Sequence, residues 1–135
     1  MALTRGSASI VWGGTASKTL NSSARVDSDA YTFDATDVQA SISIHADNQG
    51  TPASGDVVNC YLKWASDGSN YDTDEHAEFL FTLDTYGSDT PGEDPAQRTV
   101  TISTAGKSFK LSTDAPNAGT RNVVLTAQVG YQRSA

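Results

Sequence analysis

The sequence is poor in cysteine and basic residues and has no long apolar run, and each shortage excludes a class of protein. Cys60 is the only cysteine of 135 residues, so no disulfide can form within the chain. A formal net charge of -7 opposes binding to nucleic-acid phosphates and to anionic membranes. No apolar run is long enough to span a bilayer, and residues 1–7 lack the apolar centre of a secretory signal. We therefore expect a protein that folds in a reducing cytoplasm and contacts neither nucleic acid nor membrane.

Helical periodicity is also missing, and an alternation of apolar and polar residues takes its place. Val58, Cys60, Leu62 and Trp64 occupy every second position, which puts their side chains on one face of a strand. The same alternation predicts strands over 36–46, 77–83, 98–104, 107–112 and 123–131. Turn residues separate these segments, and residues 84–96 form the longest irregular stretch.

Short alternating strands separated by turns predict an all-β protein, either a sandwich or a barrel. We favour a single antiparallel β-sandwich, jelly-roll-like, because a sandwich of this size fills its interior with side chains. Residues 26–135 should form the β-sandwich domain, and residues 1–25 a polar N-terminal arm or an edge strand. Trp64 is expected at the centre of the core, with Phe79 on the same inward-facing set. Gly106 is expected in a hairpin between neighbouring strands.

The most acidic part of the chain is the loop 67–75, which offers Asp67, Asn70, Asp72, Asp74 and Glu75. Carboxylates and carbonyls are the ligands that calcium prefers, so a compact loop of this kind could bind the ion. The spacing does not match an EF-hand loop, however, and acidic turn residues often only hydrogen-bond their own backbone. We expect a solvated loop without a metal.

Candidate catalytic residues are scarce. His45 and His76 are the only histidines, and no nucleophile-elbow motif accompanies them. Cys60 lies on an inward face and should be a buried, unreactive thiol. A small hydrolase with a Ser–His–Asp set remains a third hypothesis, since the chain is rich in Ser and Asp. We predict no enzymatic activity, and we assign no catalytic, cofactor-binding or metal-binding residue and no cofactor.

Aromatic side chains outside the inward set suggest a binding surface. Tyr31, Tyr61, Tyr71 and Tyr86 fall on outward faces or in loops. Exposed aromatic rings can stack on sugars, as they do in carbohydrate-binding modules. Tyrosine is equally common at protein interfaces, and the sequence leaves both uses open.

Several stretches of the chain resemble small structural proteins of tailed bacteriophages. They are Ala16-Ser17-Lys18-Thr19-Leu20, then Arg25-Val26-Asp27-Ser28-Asp29, then Leu62-Lys63-Trp64-Ala65-Ser66-Asp67-Gly68 before an acidic loop. The likeness covers most of the chain and rests on the order and local character of these segments. It includes no catalytic motif.

This resemblance implies a virion protein made in the host cytoplasm and located on the capsid surface. The expected function is that of a capsid decoration or cement protein, which binds the outer face of the shell and stabilises it. Its expected partners are the major capsid protein and copies of itself, as a homotrimer. The alternative is a receptor- or glycan-binding module of a phage head fibre or tail.

Overall fold

The computed structural model describes residues 2–86 and 96–134, which form an all-β structure with one short 3₁₀ turn, Asp74–His76. Most of the predicted irregular segment 84–96 lies outside the described residues. None of the described residues belongs to a helix that is long and apolar enough to cross a membrane. The strands of the described chain are β1 (Leu3–Ser9), β2 (Lys18–Leu20), β3 (Val26–Asp27), β4 (Tyr31–Thr32), β5 (Asp37–Asn48), β6 (Val57–Trp64), β7 (Glu78–Asp84), β8 (Ala96–Ile102), β9 (Ser108–Asp114) and β10 (Val123–Ser134).

The strands form two antiparallel sheets. The first sheet has the order β1-β10-β5-β8, with β2 also paired to β10. The second has the order β3-β9-β6-β7, with β4 also paired to β9. The chain passes repeatedly from one sheet to the other, which is the strand order of a jelly roll built from Greek keys. The predicted β-sandwich is confirmed.

Alternate residues of the long strands meet between the two sheets and form the core. Ile42 and Ile44 from β5 and Leu125 and Val129 from β10 are completely buried on the inner face of the first sheet. Phe109 of β9 is the largest fully buried side chain. It lies against Tyr31, Phe33 and Trp64, with ring centroids 5.4–5.8 Å apart. Phe109 therefore occupies the central place expected for Trp64.

Trp64 faces inward, as its position in the alternation predicts, but it is only partly buried. It is the last residue of β6, so its ring packs at the end of the core rather than inside it. The indole N–H donates a hydrogen bond to Glu78 Oε1 at 3.1 Å. The prediction of a central Trp64 is wrong because position along the strand, and not only its face, determines burial.

The predicted inward position of Phe79 is also wrong, because β7 contains a bulge. Cys60 pairs with Phe81 but the next residue of β6, Tyr61, pairs with Phe79, so Leu80 is the extra residue. An extra residue shifts the alternation of the side chains beyond it. Phe79 is 57% exposed and packs against Tyr61 on the outer face of the second sheet.

Gly106 does not lie in a hairpin. The strands on either side of it belong to different sheets, since β8 pairs with β5 whereas β9 pairs with β3, β4 and β6. The segment 103–107 therefore crosses from one sheet to the other. Gly106 lies under the ring of Trp64, where a Cβ atom would overlap the indole.

The N-terminal residues form part of the sandwich. β1 pairs with β10 from Leu3 to Ser9, at the edge of the first sheet. Ile10, Trp12 and Leu20 are buried in the core. Removing residues 1–17 would therefore delete β1 together with the core side chains of Ile10 and Trp12. We therefore expect such a deletion to unfold the protein.

Candidate functional site

The acidic loop is held by hydrogen bonds within itself. The Asp67 carboxylate accepts the backbone N–H groups of Asn70 at 2.8 Å and Ser69 at 2.9 Å, and the Asn70 amide at 2.6 Å. These donors, the Asn70 N–H above all, lower the pKa of Asp67 to about 2. Asp67 thus stabilises its own turn, as aspartates in turns often do.

The other aspartates of the loop contact different partners. Asp72 accepts the backbone N–H of Trp64 at 3.1 Å, and Asp74 forms an ion pair with Lys63. Within residues 2–86 and 96–134, no three His, Cys, Asp or Glu side chains come together in a way that could hold a metal ion. The geometry of the loop is that of a structural connection.

Lys63 anchors this loop to the second sheet. It is 8% exposed and also contacts Asp27 Oδ2 at 2.7 Å. Burial lowers its pKa, but the hydrogen bonds to Asp27 and Asp74 outweigh burial and leave the pKa raised. Sequence reasoning missed this role of Lys63, although the acidic loop that follows was a signal of it.

The predicted candidate groups for catalysis do not converge. His45 lies on the outer face of the first sheet, 3.5 Å from Ser43 Oγ. His76 is exposed in the 3₁₀ turn before β7, in the second sheet. Cys60 is fully buried, as predicted, and burial raises its pKa to about 12, which suppresses the reactive thiolate.

Three of the four candidate tyrosines have partners of their own. Tyr31 packs edge-on against Phe33, with ring centroids 5.4 Å apart. Arg25 lies 3.7 Å above the ring of Tyr61, and the Tyr71 hydroxyl lies 2.7 Å from Ser108 Oγ. Tyr86, at 46%, is the only one of them that is largely exposed. These tyrosines therefore do not form a common stacking platform.

A hydrogen-bonded cluster around one carboxylate, that of Asp56, lies at one end of the sandwich, and sequence reasoning missed it. Asp56 is 3% exposed and receives a two-pronged contact from Arg121, at 2.5 and 2.6 Å. Asn48, Asn117 and the backbone N–H of Ala53 also donate to it. The hydrogen bond from Arg121, followed by those from these groups, holds the pKa of Asp56 well below its usual range. The cluster ties together the loops 49–56 and 115–122.

A partly exposed apolar surface lies on the side of the sandwich where β7 and β8 form the edges of their sheets. We call it the open side. A cleft of about 450 Å³ runs there between the two edges, with Trp64, Leu80 and Val100 in its walls. Phe79 stands at its rim. Single exposed apolar residues are ordinary, but a contiguous group that includes Trp and Phe is typical of contact surfaces.

The outer face of the first sheet carries more hydrogen-bonding side chains. A shallow trough lies at Gly130, between Arg5, Gln39, Ser41 and Gln132. A second hollow on this sheet is lined by residues that include Ser9, Ser43, His45 and Gln128. The lining of the trough also includes Ala40 and Tyr131, so polar and apolar groups share the trough, and Arg5 is its one charged side chain.

Comparison with known proteins finds similarity in fold only. No family model matches the sequence, and no curated protein matches it. A structure of infectious bursal disease virus, Gx strain, is similar over 97% of this chain and 32% of its own, with a TM-score of 0.54 and 10% identity. A structure of T=1 particles derived from the same virus has a TM-score of 0.50 and 11% identity, over 98% of this chain and 36% of its own.

A third similar structure contains the CBM22-1 and GH10 modules of a Clostridium thermocellum xylanase with bound xylohexaose. Its TM-score is 0.47 at 11% identity, over 78% of this chain and 19% of its own. The chain thus spans between 19% and 36% of the lengths of these three solved chains. At such identities the comparisons support a capsid-like β-sandwich fold and nothing finer.

Proposed function

We propose that this protein is a structural component of a bacteriophage virion, a decoration or cement protein that binds the outer face of the capsid and stabilises it. The observation that supports the proposal is the cleft of the open side, where Phe79 is exposed and Leu80, Val100 and Trp64 are partly exposed. Surfaces of this composition are typical of protein–protein interfaces. His45 lies in β5, His76 in the turn before β7 and Cys60 in the core, and we propose that the protein is not an enzyme.

Fold, charge and sequence resemblance support the same function. The jelly roll is a common fold of viral capsid proteins, although a fold by itself does not specify a function. A net charge of -7 suits a location outside the shell, away from packaged DNA. The phage-like segments around Lys18, Asp27 and Trp64 now have places in the fold, in β2, in β3 and at the end of β6.

The proposed partners are the major capsid protein and two further copies of this chain. Closed cyclic symmetry is usual for soluble homo-oligomers, and threefold positions on icosahedral shells suit a trimer. A protein bound across neighbouring shell subunits favours the assembled state by mass action.

The decisive experiment compares particles with and without the protein. Particles that lack it should release their DNA at lower temperature or under milder osmotic stress. Cryo-electron microscopy of complete particles should show the protein on the outer face of the shell. Particles that are equally robust without it but fail to adsorb to cells would contradict the cement function.

A matched pair of surface variants tests whether the open side makes the contact. Phe79→Ser removes an exposed aromatic ring from the open side, and Leu3→Ser removes a similarly exposed apolar side chain from β1. We expect the first variant to bind depleted particles at least about tenfold more weakly and the second to bind like the wild type. Equal binding by both variants would exclude the open side as the shell contact.

The second candidate function is glycan or receptor binding, which the trough at Gly130 favours. Gln39, Gln132, Ser41 and Arg5 offer hydrogen-bonding groups of the kind that recognise sugar hydroxyls. A glycan array with the isolated protein tests this candidate. Selective binding that is lost in Gln39→Ala and Gln132→Ala but retained in Phe79→Ser would favour it over the cement function.

A further inference from the structure

Four sheet edges bound the described sandwich, and they differ in how well they are protected against pairing with another strand. Natural edges are blunted by shortness, by charged side chains, by proline or by β-bulges that twist the edge away. β3 and β4 have two residues each. β1 carries Arg5, and β8 carries Arg98, which lies over the ring of Phe81. Each of these three edges therefore has one of the common forms of protection.

The remaining edge, β7, has neither a basic residue nor a proline, and its protection consists of the acidic Glu78 and Asp84 and the bulge at Leu80. Its sequence from Glu78 to Asp84 is EFLFTLD, a run of high β-propensity. Among the described residues β7 pairs with β6 alone, so its other edge presents backbone groups without strand partners. The bulge at Leu80 bends the strand and also turns Phe79 outward beside this edge.

The cleft of the open side lies next to this edge. A strand added to β7 would direct alternate side chains toward Leu80, Val100 and Trp64, which line the cleft. The backbone of the added strand would supply affinity, and the cleft would select apolar side chains at alternate positions. A small ligand would fill the cleft but leave the strand edge unpaired.

The charges at the two ends of β7 indicate what kind of strand fits. Glu78 and Asp84 are both exposed. A second copy of β7 in antiparallel pairing would place Glu78 opposite Asp84, and in parallel pairing would place like residues side by side. Both arrangements bring acidic groups together between chains that each carry a net charge of -7. The edge therefore disfavours its own copy and favours a strand with basic ends.

We propose that β7 accepts an extended segment of another protein, which is apolar at alternate positions and has Lys or Arg at both ends, as an added strand of the second sheet. Because both ends of β7 are acidic, the segment can pair in either direction. The inference rests on the proposed role of the open side as a protein contact surface, and in a virion it specifies the class of capsid-protein segment that would bind there.

The test uses the full chain and two synthetic peptides. In both, threonine alternates with isoleucine; one has lysines at its two ends and the other has glutamates. Binding is measured by fluorescence anisotropy, and amide hydrogen exchange locates the peptide. We expect the basic peptide to protect amides of β7 and to bind at least about tenfold more tightly than the acidic one, with affinity falling as salt is added.

Two variants provide the control. Phe79→Lys introduces an edge lysine at an exposed position and should weaken binding of the basic peptide at least about tenfold. Leu3→Lys makes the same change on β1 and should leave binding unchanged. Circular dichroism and thermal melts check that both variants remain folded.

Four outcomes would overturn the inference: no protection of β7 by either peptide, equal affinity for both, equal loss in both variants, or self-association that Phe79→Lys abolishes. The last would identify a second copy as the occupant. If the peptides fail but depleted particles are fragile, the inference is wrong and the cement function stands. If the basic peptide binds as expected but particles do not need the protein, the cement function is wrong and the strand site stands.

Discussion

The indole ring of Trp64 lies directly over Gly106, so closely that a Cβ atom on Gly106 would overlap the ring. Trp64 ends β6 in the second sheet, and Gly106 lies on the crossing from β8 to β9. The glycine thus lets the backbone pass beneath the ring that closes this end of the core.

This contact predicts that Gly106→Ala destabilises the protein by about 1–3 kcal/mol, because overpacking displaces the ring or the backbone. Gly119→Ala is the control, since no atom lies within 4 Å of its added Cβ. Urea denaturation measures both. In a Trp64→Leu background the cost of Gly106→Ala should shrink, and an unchanged cost would show that the two residues do not interact.

Phe109→Ala should cost more than Trp64→Ala. Phe109 is fully buried and contacts three aromatic rings, so its removal should cost about 3–5 kcal/mol. Trp64 is partly exposed, so we expect Trp64→Ala to lower the free energy of unfolding by about half as much. Chemical denaturation of both variants gives the ranking, and a larger loss for Trp64→Ala would place the centre of the core at Trp64.

The Cys60 thiol should react slowly with thiol reagents in the native protein. Burial raises its pKa to about 12, so little thiolate exists even at pH 9, and the reagent must wait for local opening of β6. The same reagent should label the protein rapidly in urea. Rapid labelling without denaturant would mean that the inner face of β6 is misassigned.

Acid should destabilise the protein through its hydrogen-bonded aspartates. The pKa of Asp67 falls to about 2 on folding, and that of Asp56 is also lowered. A carboxylate whose pKa is lowered by folding stabilises the folded state at pH values above its ordinary pKa of 3.8. This stabilisation is lost as the pH falls through the pKa of the carboxylate in the folded protein. The melting temperature should therefore fall between about pH 4 and pH 2.

Asp56→Asn tests the larger of these contributions. The variant leaves the Arg121 guanidinium without its carboxylate, and we expect a loss of about 3 kcal/mol at pH 7 together with a weaker pH dependence. Glu75→Gln, in the exposed turn before β7, is the control and should behave like the wild type. If the acid titrations of the Asp56→Asn and Glu75→Gln variants superimposed, Asp56 would be excluded as a source of the acid sensitivity.

The acidic loop should not respond to calcium. Asp67, Asp72 and Asp74 already accept hydrogen bonds from Asn70, Trp64 and Lys63. Thermal melts with calcium or with a chelator should coincide. If calcium strongly and reversibly raised the melting temperature, and the Asp72→Asn/Asp74→Asn double variant lost this effect, the loop would be a metal site instead.

The sequence by itself determined the all-β class, most of the long strands and the inward face of most of their residues. Ile42, Ile44, Leu111 and Leu125 were placed correctly, because the two-residue period is a local property of an extended backbone. The all-β class and the buried Cys60 followed from the same pattern.

Tertiary structure alone decided how the strands combine. The bulge at Leu80, the sheet-to-sheet crossing at Gly106 and the contacts of Asp56 depend on residues far apart in the chain. The open side arises in the same way, since Leu80 and Val100 belong to different sheets whose edges meet only after packing. Alternation specifies the face of a strand, but its partner and register depend on side chains that become neighbours only in the folded protein.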